Sequence, residues 1–186
     1  MKRAFIYNIV LLFISILDSS LALKFSQNFK SSKDYLSYLE KISELPTGFS
    51  IGTSRFSFKP FEVEKVLPMN LTIISLDKPT DTFAAMFTSN KFPGAPVIIG
   101  KNRMNSSKFL QAIVVNNKIS NVCPGMVSDS GVGDSEEVCQ AVSSSLGLVS
   151  KDMVFPSSTG IIGWRLPVEA IKEAVVFFIF KSLKLV

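Results

Sequence analysis

The 186-residue chain contains no histidine. That removes the commonest general base and the commonest metal ligand together, so any acid–base chemistry has to run on another group. Cysteine is scarce: only Cys123 and Cys139 occur, with no CxxC pair, and zinc or thioredoxin-like chemistry therefore has no ligand set. Spacing leaves a Cys123–Cys139 disulfide open, but we read both as free buried thiols, because Cys packs readily as a small apolar side chain. No G-K-[ST] tripeptide exists to make a phosphate loop, and Ser130-Gly-Val-Gly-Asp134 lacks the third glycine of a dinucleotide fingerprint. The expected cofactor and metal content is none. Basic runs are missing too: the net charge of +5 comes from 20 scattered Lys and Arg, which is not the clustered footprint of a nucleic-acid binder.

What is present suits one globular domain, with 47% apolar and 19% charged residues, too apolar for a disordered chain. The N-terminus reads differently from the rest. Lys2 and Arg3 form a short basic head before a mainly apolar stretch from Ala4 to Leu17, shorter than the roughly 20 residues a bilayer span needs. Ser20-Leu-Ala22 then offers the small-x-small pattern of a signal-peptidase site, so residues 1–22 read as a signal peptide, leaving no stable membrane span after its removal. Residues 23–44 begin with Leu23 to Lys33, rich in Ser and Lys and free of acids, which makes a transit-like or linker segment. A signal followed by a transit-like segment implies entry to a plastid through the secretory route; a mitochondrial or a secreted protein is the alternative. On the secretory route Asn70-Leu-Thr72 and Asn105-Ser-Ser107 become candidate glycan acceptors.

From about Leu45 onward, short β-branched runs alternate with turn residues. Leu71–Leu76, Phe83–Thr88, Pro96–Gly100 and Ala112–Asn116 each suit a strand, with turns at Asp77–Asp81, Asn90–Gly94 and Asn102–Lys108. The period then changes. Val138, Cys139, Val142 and Leu146 fall on one helical face in Asp134–Leu146, with acids in the first turn and Gly147 just past the end. Glu136 and Glu137 read as a solvated helix start, since consecutive helical residues do not converge on one substrate. A second helix should begin near Pro167, where a first-turn proline is tolerated, and run through Val175. Strands followed by helices predict an α/β fold, a layered sandwich of a mixed sheet with helices.

The stretch Val154-Phe-Pro-Ser-Ser-Thr-Gly-Ile-Ile-Gly-Trp-Arg-Leu-Pro167 places hydroxyls and glycines between a strand-like run and that second helix. Such a junction aims backbone N–H groups and a hydroxyl at an anion or a developing oxyanion, or it is simply a turn.

Four stretches in order carry a resemblance. They are Leu45-Pro-Thr-Gly-Phe49, Met86-Phe-Thr-Ser-Asn-Lys-Phe-Pro-Gly-Ala-Pro-Val97, Ala112-Ile-Val-Val-Asn-Asn-Lys-Ile-Ser-Asn-Val-Cys-Pro-Gly125, and Ser157-Ser-Thr-Gly-Ile-Ile-Gly163 with Leu166-Pro167. Together they resemble the glutamate N-acetyltransferase, or ornithine acetyltransferase, family of arginine biosynthesis, over residues 45–175, the N-terminal part of its self-cleaving fold. The resemblance implies acetyl transfer from N-acetylornithine to glutamate through an N-terminal threonine nucleophile freed by autocatalytic cleavage, whose own amine serves as base. It implies an oxyanion hole at Thr159 (hydroxyl) and Gly160 (backbone N–H). The third stretch departs from the family's pattern by carrying Lys118 and Pro124.

No segment resembles the family's cleavage site and nucleophile, and residues 176–186 form an atypical apolar tail that reads as the end of a truncated or mis-spliced product. The expectation is a chain that is inactive alone and needs the missing C-terminal half, the β chain of the same precursor, as its partner. Two other functions compete. One is a catalytically inactive interaction protein of the same half-fold; the other is an amidohydrolase or aminopeptidase of the related fold.

Overall fold

A computed structural model of the chain describes residues 28–124 and 131–176. The expected signal at 1–22, Gly125 of the third motif, Ser130 of the GxG pair and all but the first residue of the apolar tail lie outside the described residues. The chain divides into two units, Met1–Ser43 and Glu44–Val186.

In the first unit, helix α1 (Ser32–Ile42) starts where the Ser31 hydroxyl accepts the Asp34 N–H at 3.2 Å, with Asp34 in the first turn and Lys41 in the last. Both charges complement the helix dipole. Phe29 folds back onto Tyr35 and Tyr38, each ring centroid 5.1 Å away. The transit-like reading had not placed a helix here, although Ser31-x-x-Asp34 is a capping signature visible in the sequence.

The second unit is built on a four-stranded sheet in the order β1 (Phe49–Phe58), β2 (Leu67–Thr80), β3 (Leu110–Asn116), β4 (Val154–Ser158). β1, β2 and β3 run antiparallel, and β4 joins β3 in parallel, pairing Ala112 with Val154 through Asn116 with Ser158. The mixed sheet and its helices give the α/β class expected. Period-two alternation turns Met69, Leu71 and Ile73 of β2, Ala112 and Val114 of β3 and Val154 of β4 to one face, where all are buried. Helices α3 (Val132–Leu146) and α4 (Val168–Val176) close that face with Val138, Cys139, Val142, Ile171, Ala174 and Val175. Fully burying each Leu, Ile or Val here contributes about 1.5–3 kcal/mol. α3 ends at Gly147, whose φ of 65° lets its N–H reach back to the carbonyls of Ser143 and Ser144.

Four sequence expectations change. Pro96–Gly100 is part of helix α2 (Ala95–Ser106), not a strand, and the turn expected at Asn102–Lys108 is mostly the last turn and a half of the same helix. Pro96 sits in its first turn, and the buried residues Ala95, Ile99 and Arg103 recur every four positions. The β-branched Val-Ile-Ile run suggested a strand only because Arg103 does not look like a core residue. The turn expected at Asp77–Asp81 is mostly strand, since β2 continues to Thr80 across an irregularity between Ser75 and Thr80. Phe83–Thr88 has the alternating burial of a strand, with Phe83, Ala85 and Phe87 half-buried and Ala84, Met86 and Thr88 exposed, but it is not in the sheet.

Candidate functional site

The parallel β3–β4 pair brings two loops together at its carboxyl end, the place where open α/β sheets commonly bind ligands. One loop follows Asn116; the other follows Ser158. Asn116 is buried and joins them: its Oδ1 accepts the Ser158 hydroxyl at 2.6 Å, and its Nδ2 donates to the Ile119 carbonyl at 2.9 Å. Main-chain bonds continue the seam. Thr159 N–H donates to Asn116 O at 3.1 Å, Ile161 N–H to Lys118 O at 2.8 Å, Ser120 N–H to Ile161 O at 3.0 Å and Gly163 N–H to Val122 O at 2.9 Å.

The seam leaves Thr159 and Gly160 on its surface, both exposed. Gly160 has φ 134°, and a Cβ on it would run into the Lys118 carbonyl group. Only glycine fits there, because the obstacle is backbone that cannot step aside. Among the described residues no hydrogen bond uses the Gly160 N–H or the Thr159 hydroxyl. The two residues expected from sequence thus lie exposed at this end of the sheet, with neither donor used by a hydrogen bond among the described residues.

The facing loop is strained where sequence reasoning had no signal. Lys118, Asn121 and Cys123 all have left-handed backbone, with φ of 74°, 52° and 50°, a conformation costing a side-chain-bearing residue about 1–2 kcal/mol. Fully buried Asn121 holds this loop to the start of α3, donating to Gly131 O at 2.9 Å and to the Ser135 hydroxyl at 2.8 Å. The Asn121 main-chain carbonyl accepts the first N–H of α2, Ala95, at 3.0 Å.

Near the start of β4, against Phe155, lies a buried cation that the sequence did not single out. Arg103 is 3% exposed and pairs with Glu136 at 3.0 Å, with its Nη1 at 3.5 Å from Cys139 Sγ and its guanidinium 6.0 Å from the Phe155 ring centroid. Lys151 holds the same Glu136 oxygen at 3.0 Å. Glu136 is thus a structural partner of a core cation and not a solvated carboxylate, whereas Glu137 is exposed as expected. Both cysteines are free thiols, Cys139 buried and Cys123 half-buried. Burial pushes the Cys139 thiol up to about 11 despite the opposing pull of Arg103, so it stays protonated and unreactive near neutral pH.

A cavity of about 590 Å³ lies elsewhere, between Phe58, Phe61 and Glu62 on one side and Arg165 and Pro167 on the other. Its rim is internally paired: Glu62 Oε1 accepts the Arg165 backbone N–H at 2.8 Å, and the Arg165 side chain lies 3.7 Å from Asp134. Thr159 and Gly160 do not line it.

Comparison with known proteins gives the family and the fold. The chain is 37% identical over 131 residues to the arginine biosynthesis bifunctional protein ArgJ of Dehalococcoides mccartyi, covering 70% of this chain and 30% of that protein. To the mitochondrial ArgJ of Talaromyces marneffei it is 30% identical over 140 residues, 74% of this chain and 28% of that one. The chain therefore spans under a third of the length of these relatives. Its fold is that of the Mycobacterium tuberculosis ornithine acetyltransferase solved in complex with ornithine, with a TM-score of 0.57 and 22% identity, over 71% of this chain and 66% of the solved chain. The model of the ArgJ family matches residues 59–182, a span holding the β3–β4 seam and both donors, and the chain belongs to the ArgJ family.

Proposed function

We propose that this chain supplies the oxyanion hole of a glutamate N-acetyltransferase, the acetyl group passing from N-acetylornithine to glutamate through a threonine acyl-enzyme whose nucleophile lies on a complementary C-terminal chain. The observation that carries the reading is the pair of accessible donors, Thr159 hydroxyl and Gly160 N–H, at the carboxyl end of the parallel β3–β4 pair. Attack on the acetyl carbonyl turns its oxygen negative, and donors fixed in advance stabilise that charge without reorganising as it forms. The Asn116–Ser158 bond and the main-chain seam supply the fixing. Family membership supports the acyl-transfer chemistry, and the ornithine bound to the M. tuberculosis protein supports an ornithine-type substrate. Two chains are supported by coverage: the chain covers 66% of that solved chain but 30% of the D. mccartyi relative, so the solved chain is itself much shorter than a full-length relative.

The test joins this chain to the C-terminal remainder of the D. mccartyi relative and measures acetyl transfer from N-acetylornithine to glutamate. The chain alone is expected to be inactive and the pair active. Thr159→Ala should lower kcat by about 10²–10³ with little change in KM, the loss typical of one oxyanion donor. Hydrolysis outrunning transfer to glutamate would favour the amidohydrolase or aminopeptidase reading. A folded pair that never transfers acetyl would leave a non-catalytic interaction protein.

For its address, we infer a plastid reached by a signal peptide and transit segment at residues 1–44. The mitochondrial designation of the T. marneffei relative supports a mitochondrial alternative, and secretion is the third destination.

A further inference from the structure

The two loops of the seam carry a single charged side chain. Residues 116–124 and 157–164 contain no acid, and Lys118 is their one basic residue. It is exposed. Among the described residues no ion pair or hydrogen bond engages its ammonium. Its main chain abuts Gly160, where an added Cβ would strike the Lys118 carbonyl carbon and oxygen, and that carbonyl accepts the Ile161 N–H at 2.8 Å. The ammonium therefore rides on a flexible four-carbon stem that starts at the peptide touching Gly160.

This lysine also stands in a conformation it does not favour. Its φ of 74° suits glycine and is costly for a residue with a side chain. Asn121, left-handed as well, offsets that cost with buried bonds to Gly131 and Ser135, and asparagine is among the residues that tolerate such backbone. Lys118 gains no such bond, and a glycine would complete the same main-chain seam. It is, besides, a position where the third motif departs from the family's pattern. Strained residues that packing does not explain cluster where a ligand is held.

We propose, resting on the acetyl-transfer reading above, that Lys118 is a specificity-determining residue that favours acyl acceptors bearing a second carboxylate. Charge separates the two substrates of that reaction. N-acetylornithine carries one carboxylate and one free amine and is net neutral near neutral pH, whereas glutamate carries two carboxylates and one amine. The glutamate amine sheds its proton before it attacks the acyl carbon, which leaves the reacting acceptor with two negative charges and no positive one. An ammonium beside the Thr159 and Gly160 donors strengthens binding of that anion and does little for the neutral acyl donor. Water, the competing acceptor, gains nothing from it, so the lysine also tilts the acyl-enzyme from hydrolysis toward transfer.

The experiment uses the full chain joined to the C-terminal remainder of the D. mccartyi relative, and the isotope-labelled full chain alone. In the pair, Lys118→Met should raise the KM for glutamate about three- to fivefold, the reach of one solvent-exposed charge pair, and move the KM for N-acetylornithine less than about twofold. Lys118→Arg should restore the wild-type KM, and added salt should erase the gap between wild type and Lys118→Met. Lys118→Gly suits the backbone, so the chain's melting temperature should not fall while the KM for glutamate rises as in Lys118→Met, a split that a merely structural lysine does not give. In the chain alone, glutarate should shift the amide signals of residues 118–120 and 159–161 more than neutral glutaramide does, and Lys118→Met should abolish the excess. A pair that transfers acetyl with the same KM for glutamate in Lys118→Met as in wild type overturns the proposal and leaves the acetyltransferase reading standing. A pair that transfers nothing removes that reading, and the chain alone then decides: shifts that depend on Lys118 keep it as a dicarboxylate-binding residue, and shifts that do not overturn the proposal as well.

Discussion

At the scale of single residues, Gly160 and Cys139 make opposite demands on their surroundings. Gly160→Ala adds one methyl group where the Lys118 carbonyl already stands, and the φ of 134° suits glycine almost alone. The variant should lose about 1–3 kcal/mol in denaturant unfolding, the range for forcing a side chain into such backbone. Cys139 is governed by solvation. Its thiol, raised to about 11 by burial, binds its proton more tightly in the folded state than in the unfolded one, where the ordinary value is near 8.5. Stability from this group is therefore fully present below about pH 8.5 and is lost as pH rises through 11. Unfolding measured from pH 8 to 11 should fall more steeply for the wild type than for Cys139→Ala, by about 2–3 kcal/mol at the upper end. Thr159 and Gly160 could be singled out from sequence because the motif around them is local. The left-handed Lys118 was not, since nothing in a lysine's chemistry announces the conformation that tertiary contacts impose on it.

Between elements, the Arg103 guanidinium is the tie that connects α2 with α3 and with β4, through Glu136, Cys139 and Phe155. Arg103→Ala strands Glu136 against Lys151 alone and opens a void beside Cys139. It should cost about 3 kcal/mol, at the low end for a broken buried pair because Glu136 retains some solvent, and a melting curve on the purified chain measures it. Where an element announces itself by one dominant period, sequence reasoning found it: β3, α3, α4 and the core stretch of β2 lie where expected. It failed at α2 because the helical stripe is completed by a buried arginine, which pattern reading counts as polar. The Phe83–Thr88 run was read as a strand from its alternation, and that alternation exists, but ladder partners are a property of the rest of the fold and no local pattern encodes them.

For the whole molecule, sequence reasoning gave the α/β class and the family resemblance, and it separated residues 1–44 from the body by composition. The structure divides the chain after Ser43; the transit-like character of residues 23–44 rests on composition alone. Residues 1–44 fused to a fluorescent protein should carry it into plastids. Delivery to mitochondria or to the secretory lumen, seen by microscopy against organelle markers, would select one of the other destinations. Net charge and histidine content are global properties as well, and here they narrowed the chemistry more than the fold did. A chain without imidazole has to run any acid–base chemistry on another group.

The seam between β3 and β4 has one more implication. The peptide N–H at position 160 is placed by backbone registry, so its position owes little to which side chains happen to flank it. On the proposed acyl-transfer reading, substitutions along either loop can alter which acyl donor is preferred while leaving the spacing of that N–H to the strand ends as it was. Substrate choice and charge stabilisation would then diverge separately in descendants of this scaffold.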